Sequence, residues 1–285
     1  MDKRRELEKA LEELRPELDE IAKSYFLLNI YNFKKWSTFL FVSLWFLLIL
    51  PTKALCETSY PKGFVDIKDV IPSVVLDIRY FTNHNFVGKK VDGYNAPKCI
   101  LTKEAAEALL NVQKELEKFH LSLKIYDCYR PKRAVAHFVR WAKDIEDTKT
   151  QEEFYPTIDK KNLFKDGYIA EYSSHSRGST VDLTIVPVPV PKQEEYKEDM
   201  KLYACFLPAE NRFKDNSIDM GTGFDCFHEL SHTANPKIGF QQRINRLLLK
   251  TLMEKNGFKN LSLEWWHFTL INEPFPDTYF DFPIE

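Results

Sequence analysis

The sequence predicts an α+β domain built on a central antiparallel sheet flanked by helices. Two periodicities and one omission carry that prediction. Apolar residues alternate strictly at Leu121, Leu123, Ile125 and at Val181, Leu183, Ile185; they recur three and four apart from Ala105 to Phe119 and from Ile244 to Leu252; and the regular strand-helix-strand alternation of a parallel sheet is missing. The 285 residues are 44% hydrophobic and 14% aromatic, enough for one globular domain of about 200 residues with further sequence ahead of it. Forty basic and 42 acidic residues leave a formal charge of −2, which argues against a nucleic-acid binder and favours small-molecule chemistry.

Three parts are expected: an N-terminal helical extension (1–27), a signal peptide or membrane anchor (28–56) and a catalytic domain (57–285). Met1 to Tyr25 carries a charged helical pattern with Leu7, Leu11, Leu14, Leu18 and Ile21, for which the sequence suggests no role. Between Lys35 and Lys53 lies an uncharged stretch with its apolar centre at Phe39 to Leu50, behind the Lys34, Lys35 pair. It is shorter than the roughly 20 residues that span a bilayer, and small Thr52 and Ala54 precede a cleavage point after Ala54, so it reads as a signal peptide. The alternative is an uncleaved anchor over residues 36–52, through which alone the chain would meet a membrane. Either way the domain is expected outside the cytoplasm, in the periplasm or beyond.

Thr102 is the expected N-cap of a helix whose apolar face is Ala105, Leu109, Val112, Leu116 and Phe119. A half-buried strand follows from Leu121 to Tyr126. Tyr129, Arg130 and Pro131 then turn the chain into a helix marked by Val135, Phe138, Val139 and Ala142, which places Arg130 at a corner facing a cleft. Asp182 is expected on a strand, on the face opposite Val181, Leu183 and Ile185, with His175 in the loop before it beside Gly178. Residues 186–219, rich in Pro and charge, read as an insertion crossing the surface. A helix over Ile244, Leu247, Leu248, Thr251 and Leu252 ends at Asn256, Gly257, and Leu261 to Ile271 reads as a strand. On a regular strand Glu264 and His267 would face opposite ways, so for both to serve one centre Glu264 must occupy a turn or bulge before regular pairing begins.

The chemistry concentrates in two segments, SSHSRGSTVD (Ser173 to Asp182) and EWWH (Glu264 to His267). His175, Asp182 and His267 offer the nitrogen and hard oxygen donors that one Zn²⁺ accepts, and three protein ligands with one open position is a catalytic rather than structural arrangement. Glu264 is then left over as the proton shuttle that a metal hydrolase needs, with Trp265 and Trp266 supplying the desolvated setting that raises a carboxyl pKa. Five cysteines (Cys56, Cys99, Cys128, Cys205, Cys226) are an odd number without CxxC spacing, which argues against a Cys-based site. A Cys205–Cys226 disulfide stapling the insertion and separate buried thiols are the two readings.

These blocks, with DIRYFTNHNFVGKKVDGY (Asp77 to Tyr94), YDCYRPKRAVAHFVRWA (Tyr126 to Ala142), DMGTGFD (Asp219 to Asp225) and the closing EPFPDTYFDFP, resemble in order the zinc-dependent D-alanyl-D-alanine dipeptidases of the kind that accompany vancomycin resistance. The resemblance runs from about Asp66 to Glu285. It implies the fold shared by D,D-peptidases and hedgehog-like zinc domains, with the metal in a cleft on the sheet, and hydrolysis of the D-Ala-D-Ala dipeptide. It further implies that Arg130 supports the tetrahedral oxyanion, that Asp225 meets the substrate ammonium, and that Ser173, Tyr80 and Tyr94 contact substrate; Tyr80 and Tyr94 read equally as core aromatics. The chain departs from the family pattern at Cys128, where Gly is usual, which puts that loop's geometry in question if a positive φ is required there. Two alternatives stand beside the dipeptidase reading. A peptidoglycan D,D-carboxypeptidase would have no use for Asp225, and a non-catalytic zinc-binding module would have no use for Glu264 and Arg130.

Overall fold

The computed structural model describes residues 60–285. The N-terminal helical extension, the signal or anchor segment and Cys56 lie outside the described residues. Among the described residues no helix is long and apolar enough to cross a membrane.

The described residues open with strand β1 (Phe64–Asp66), helix α1 (Ile67–Val70), strand β2 (Val75–Leu76), strand β3 (Ile100–Thr102) and helix α2 (Lys103–Glu117). Strand β4 (Leu121–Asp127), helices α3 (Lys132–Lys143) and α4 (Gln151–Phe154), and strand β5 (Thr180–Pro187) follow. Helix α5 (Phe240–Lys255), strand β6 (Phe258–Asn260) and strand β7 (His267–Leu270) complete them. β1 and β3 form a small antiparallel pair; the main sheet runs β2-β4-β5-β7-β6. This is the expected mixture of sheet and helices, with one correction. β2 pairs with β4 in parallel, so the sheet is antiparallel only from β4 onward.

Thr102 caps α2 as its side chain accepts from the Ala105 amide, satisfying one of the unpaired donors of the first turn. The helix ends at Glu117, earlier than the apolar spacing predicts, and Phe119 is exposed rather than buried. β4 and β5 are buried on both faces, not one. Lys124 and Tyr126, on the face predicted to be wet, are covered by residues 188–219, whose Asp215 pairs with the Lys124 ammonium at 3.0 Å and accepts from the Tyr126 hydroxyl at 2.8 Å. The insertion is therefore more than a surface crossing, because it seals one face of the sheet with a buried charge. Its Cys205 is joined to Cys226, and a second disulfide, not expected from the sequence, joins Cys99 to Cys128.

The predicted strand from Leu261 to Ile271 is two short strands, β6 and β7, joined by a turn that holds Glu264, Trp265 and Trp266. α5 ends as expected, with Gly257 at φ 89°. Its buried face is rotated, however. Asn245, Arg246, Leu249 and Met253 are buried, while Leu247 is exposed. The cause lies in the loop it packs on, since the Arg246 guanidinium donates to the carbonyls of Met220, Leu230 and His232 at 2.6–2.8 Å. Satisfying three buried carbonyls outweighs burying one more leucine, whose full burial is worth roughly 2 kcal/mol.

Candidate active site

Cross-strand register assembles the site. Asp127 on β4 pairs with Asp182 on β5, and Asp182 pairs with His267 on β7, so three chemically active residues stand side by side at one end of the sheet. His175 enters from the 3-10 turn Ser174–Arg177, which closes at Gly178 with φ 85°. A Cβ there would lie 2.2 Å from the Phe64 ring, so only glycine fits both the backbone and the packing.

The His175 Nε2, His267 Nδ1 and Asp182 carboxylate oxygens converge. Nε2 lies 3.3 Å from Nδ1 and 3.3 Å from Asp182 Oδ2, and Nδ1 lies 3.1 Å from Asp182 Oδ1. Donors held at 2.0–2.1 Å by a tetrahedral zinc stand roughly 3.3 Å from one another, so the set fits that ion. Asp182 Oδ1 is buried without a hydrogen-bond partner, a costly state that a cation would relieve. Nδ1–H of His175 donates to the Cys128 carbonyl at 2.7 Å, which leaves the Nε2 lone pair facing His267 and Asp182. Ser174 Oγ lies 3.3 Å from Nε2 of His267 and orients that ring likewise. Burial pushes the His175 pKa down, against the pull of Asp182, and so favours the neutral, ligating form. Burial would raise the Asp182 carboxyl, but His175 and His267 outweigh it and hold the group well below the usual carboxylate range.

Glu264 stands in the β6–β7 turn with Oε2 3.4 Å from His267 Nδ1, beside the ligand set without belonging to it. Burial, reinforced by the Asp182 charge and opposed by His267 and Arg130, raises its pKa. The turn is held by Asn260, whose amide donates to the carbonyls of Glu264 and His267 at 3.1 and 3.0 Å. Arg130 donates through Nε to Asp127 at 2.9 Å, and its guanidinium stacks over Tyr80 and Phe138. Nη2 also lies 2.9 Å from Asp127, and Nη1 and Nη2 reach toward Ser173 and Asp182 respectively at 3.5 Å. Cys128 does not adopt a positive φ, so its backbone conformation does not call for Gly at this position.

A cavity of about 370 Å³ is lined by Tyr80, Arg130, Ser173, His175, Asp182, Asp225, Glu264 and His267. Asp225 is buried with φ 55°, a left-handed conformation uncommon outside glycine, and accepts from the Tyr80 hydroxyl at 2.8 Å. Burial and the Asp182 charge raise its pKa well above the ordinary range. Tyr94 stands elsewhere. It is fully buried behind Arg130, outside the cavity lining, and donates to Asp127 at 2.6 Å. Sequence reasoning missed Asp127, Ser174 and Asn260. Asp127 alone carried a usable signal, being an acid three residues before Arg130 at the end of a buried strand.

Two histidines and an aspartate able to hold a metal ion, with a glutamate beside them in one cavity, form a candidate metallopeptidase-type centre. The chain matches the family model for peptidase M15, described as D-ala-D-ala dipeptidase, over residues 61–188 and 212–285, and it belongs to that family. It is 38% identical over 223 residues to the D-alanyl-D-alanine dipeptidase of Enterococcus faecium, an alignment spanning 78% of this chain and 98% of the relative. The namesake enzyme of Enterococcus faecalis is 39% identical over 222 residues, with the same coverage. That of Escherichia coli is 30% identical over 209 residues, 72% of this chain and 83% of the relative.

Proposed function

We propose that this chain is a zinc D,D-dipeptidase that hydrolyses D-alanyl-D-alanine, with His175, Asp182 and His267 as the metal ligands. Convergence of three donors at 3.1–3.3 Å, with a glutamate beside them, is the observation that carries the mechanism. His175, Asp182 and His267 would hold the zinc, which when bound would lower the pKa of water toward about 7 and polarise a carbonyl. Glu264 takes a proton from the attacking water and returns it to the leaving amine, a role for which a raised pKa suits it. Arg130, fixed by Asp127 and by the ring faces of Tyr80 and Phe138, meets the oxyanion with the guanidinium edge that Asp127 leaves free. Tyr94 supports this arrangement through Asp127 instead of touching substrate.

Asp225 pairs with the substrate ammonium, and Tyr80 orients it. The pair supports a dipeptidase over a carboxypeptidase, because an acylated nitrogen brings no cation to a buried carboxylate. Free D-Ala-D-Ala is accordingly expected to be cleaved at least about 100-fold faster than its N-acetylated form, and Asp225→Asn is expected to shrink that ratio mainly by slowing the free dipeptide, with metal content unchanged. Parallel steady-state rates on the two substrates check this; equal rates, or a preference for a peptidoglycan stem, would favour the carboxypeptidase. The two disulfides support an exported enzyme acting outside the cytoplasm, where such bonds persist.

A further inference from the structure

We infer that Lys259 forms a subsite for the free carboxylate of the leaving D-alanine, so that the enzyme reads both ends of a zwitterionic dipeptide. The inference rests on the dipeptidase reading above and adds a residue to it. Lys259 lies on β6, opposite Thr269 of β7, and Thr269 is in turn opposite Thr180 of β5. Residues directly opposite across an antiparallel ladder share a face of the sheet, and so do residues two apart along a strand. Thr269 is two residues from His267, and Thr180 two from Asp182, so Lys259 stands on the same face as two of the proposed metal ligands. Burial agrees: in β7 Phe268 and Leu270 are buried toward the core, while His267 and Thr269 are part-exposed; in β6 Phe258 is buried while Lys259 is exposed. Lys259 and Thr269 both line the 370 Å³ cavity that holds the site.

Position across the sheet gives the subsite its sign. Asp225 and Tyr80 stand on the β2–β4 side, where Phe224 stacks on Tyr126 of β4. Asp182 and His267 occupy the middle strands, and Lys259 is one strand further on. A carboxyl group, a cation-binding centre and a lysine therefore follow one another across the strands. A dipeptide presents the complementary order: ammonium, scissile carbonyl, carboxylate. Besides His175 and His267, the basic residues lining the cavity are Arg130 and Lys259, and Arg130 is held by Asp127 on the Asp225 side. That leaves Lys259, with a compact ammonium on a flexible four-carbon stem, to meet a terminal carboxylate near the edge strand. The pairing rewards a substrate that ends one residue beyond the cleaved bond, as Asp225 rewards one that begins one residue before it.

The test compares D-Ala-D-Ala with D-alanyl-D-alaninamide, which lacks the terminal charge, on the zinc-loaded full chain and on Lys259→Met and Lys259→Arg. The unaltered enzyme should favour the acid over the amide. Lys259→Met should lower kcat/KM for the acid about tenfold, chiefly through KM, while the amide rate and zinc content hold, and Lys259→Arg should restore most of the preference. An acid-to-amide ratio in Lys259→Met equal to that of the unaltered enzyme would overturn the subsite, as would an unaltered enzyme indifferent to the amide. The N-acetyl comparison reports on Asp225 separately, so failure of the ammonium subsite and failure of the carboxylate subsite are distinguishable.

Discussion

Glu264→Gln is expected to keep its zinc and to lose roughly 100-fold or more of its turnover on D-Ala-D-Ala, the range for removing a positioned proton carrier. His175→Ala and His267→Ala are expected to lose the zinc itself, because two remaining donors hold the ion poorly. The contrast follows from geometry. His175, Asp182 and His267 meet at a common point, whereas Glu264 reaches only the rim of that set, at 3.4 Å from His267 Nδ1, from a turn braced by Asn260. The amide of Gln preserves shape and hydrogen bonding to the turn, so the loss isolates proton transfer. Metal analysis beside steady-state rates on all three variants decides the matter. Zinc departing from Glu264→Gln would make Glu264 a ligand, and full occupancy in the histidine variants would remove them from the metal site.

Asp215→Ala is expected to destabilise the domain by about 3–5 kcal/mol, lowering Tm by roughly 10 °C, without a direct effect on the chemistry. The Asp215 carboxylate pairs with Lys124 at 3.0 Å and with Arg79 at 2.8 Å, and Asp77 completes the group with contacts of 2.9 Å to Arg79 and 3.0 Å to Lys124. Deleting one acid leaves two cations sharing the other. Burial would raise both carboxyls, but the Arg79 and Lys124 charges prevail and hold Asp77 and Asp215 below their ordinary values. A carboxyl with a depressed folded-state pKa stabilises fully above its unfolded value, near pH 4, and loses that contribution as pH falls toward the folded value. Thermal denaturation should therefore show stability from this group level at neutral pH and falling below about pH 4, with a shallower acid decline in Asp215→Asn. A Tm within about 2 °C of the unaltered protein in Asp215→Ala would show that the insertion contributes little through this network.

The residues proposed as metal ligands, the glutamate proposed beside them and the alternating and helical stretches were legible in the sequence because each rests on local pattern. Strand alternation put Asp182 opposite Val181 and Leu183, the N-cap chemistry of Thr102 is written in four residues, and the spacing of three between Glu264 and His267 by itself required a turn, which the structure contains. Composition and motif order sufficed for the family. Burial on the second face of β4 was not legible, because the residues that cover Lys124 and Tyr126 arrive 69 or more positions later in an insertion with no periodicity. The Cys99–Cys128 disulfide was hidden for the same reason: pairing depends on the approach of two backbones, not on spacing. Arg246 illustrates the limit most clearly. On sequence it interrupts an apolar helix face, and only the loop folded against it, with three carbonyls in need of donors, makes its burial favourable. The same holds for Lys259, a surface lysine in one dimension, which strand register places on the face of the sheet where the ligands converge. Local sequence thus determined which groups can bind a metal and move a proton, whereas long-range pairing decided which of them share a cavity and in what order, because hydrogen-bond register and charge burial are properties of segments brought together from distant parts of the chain.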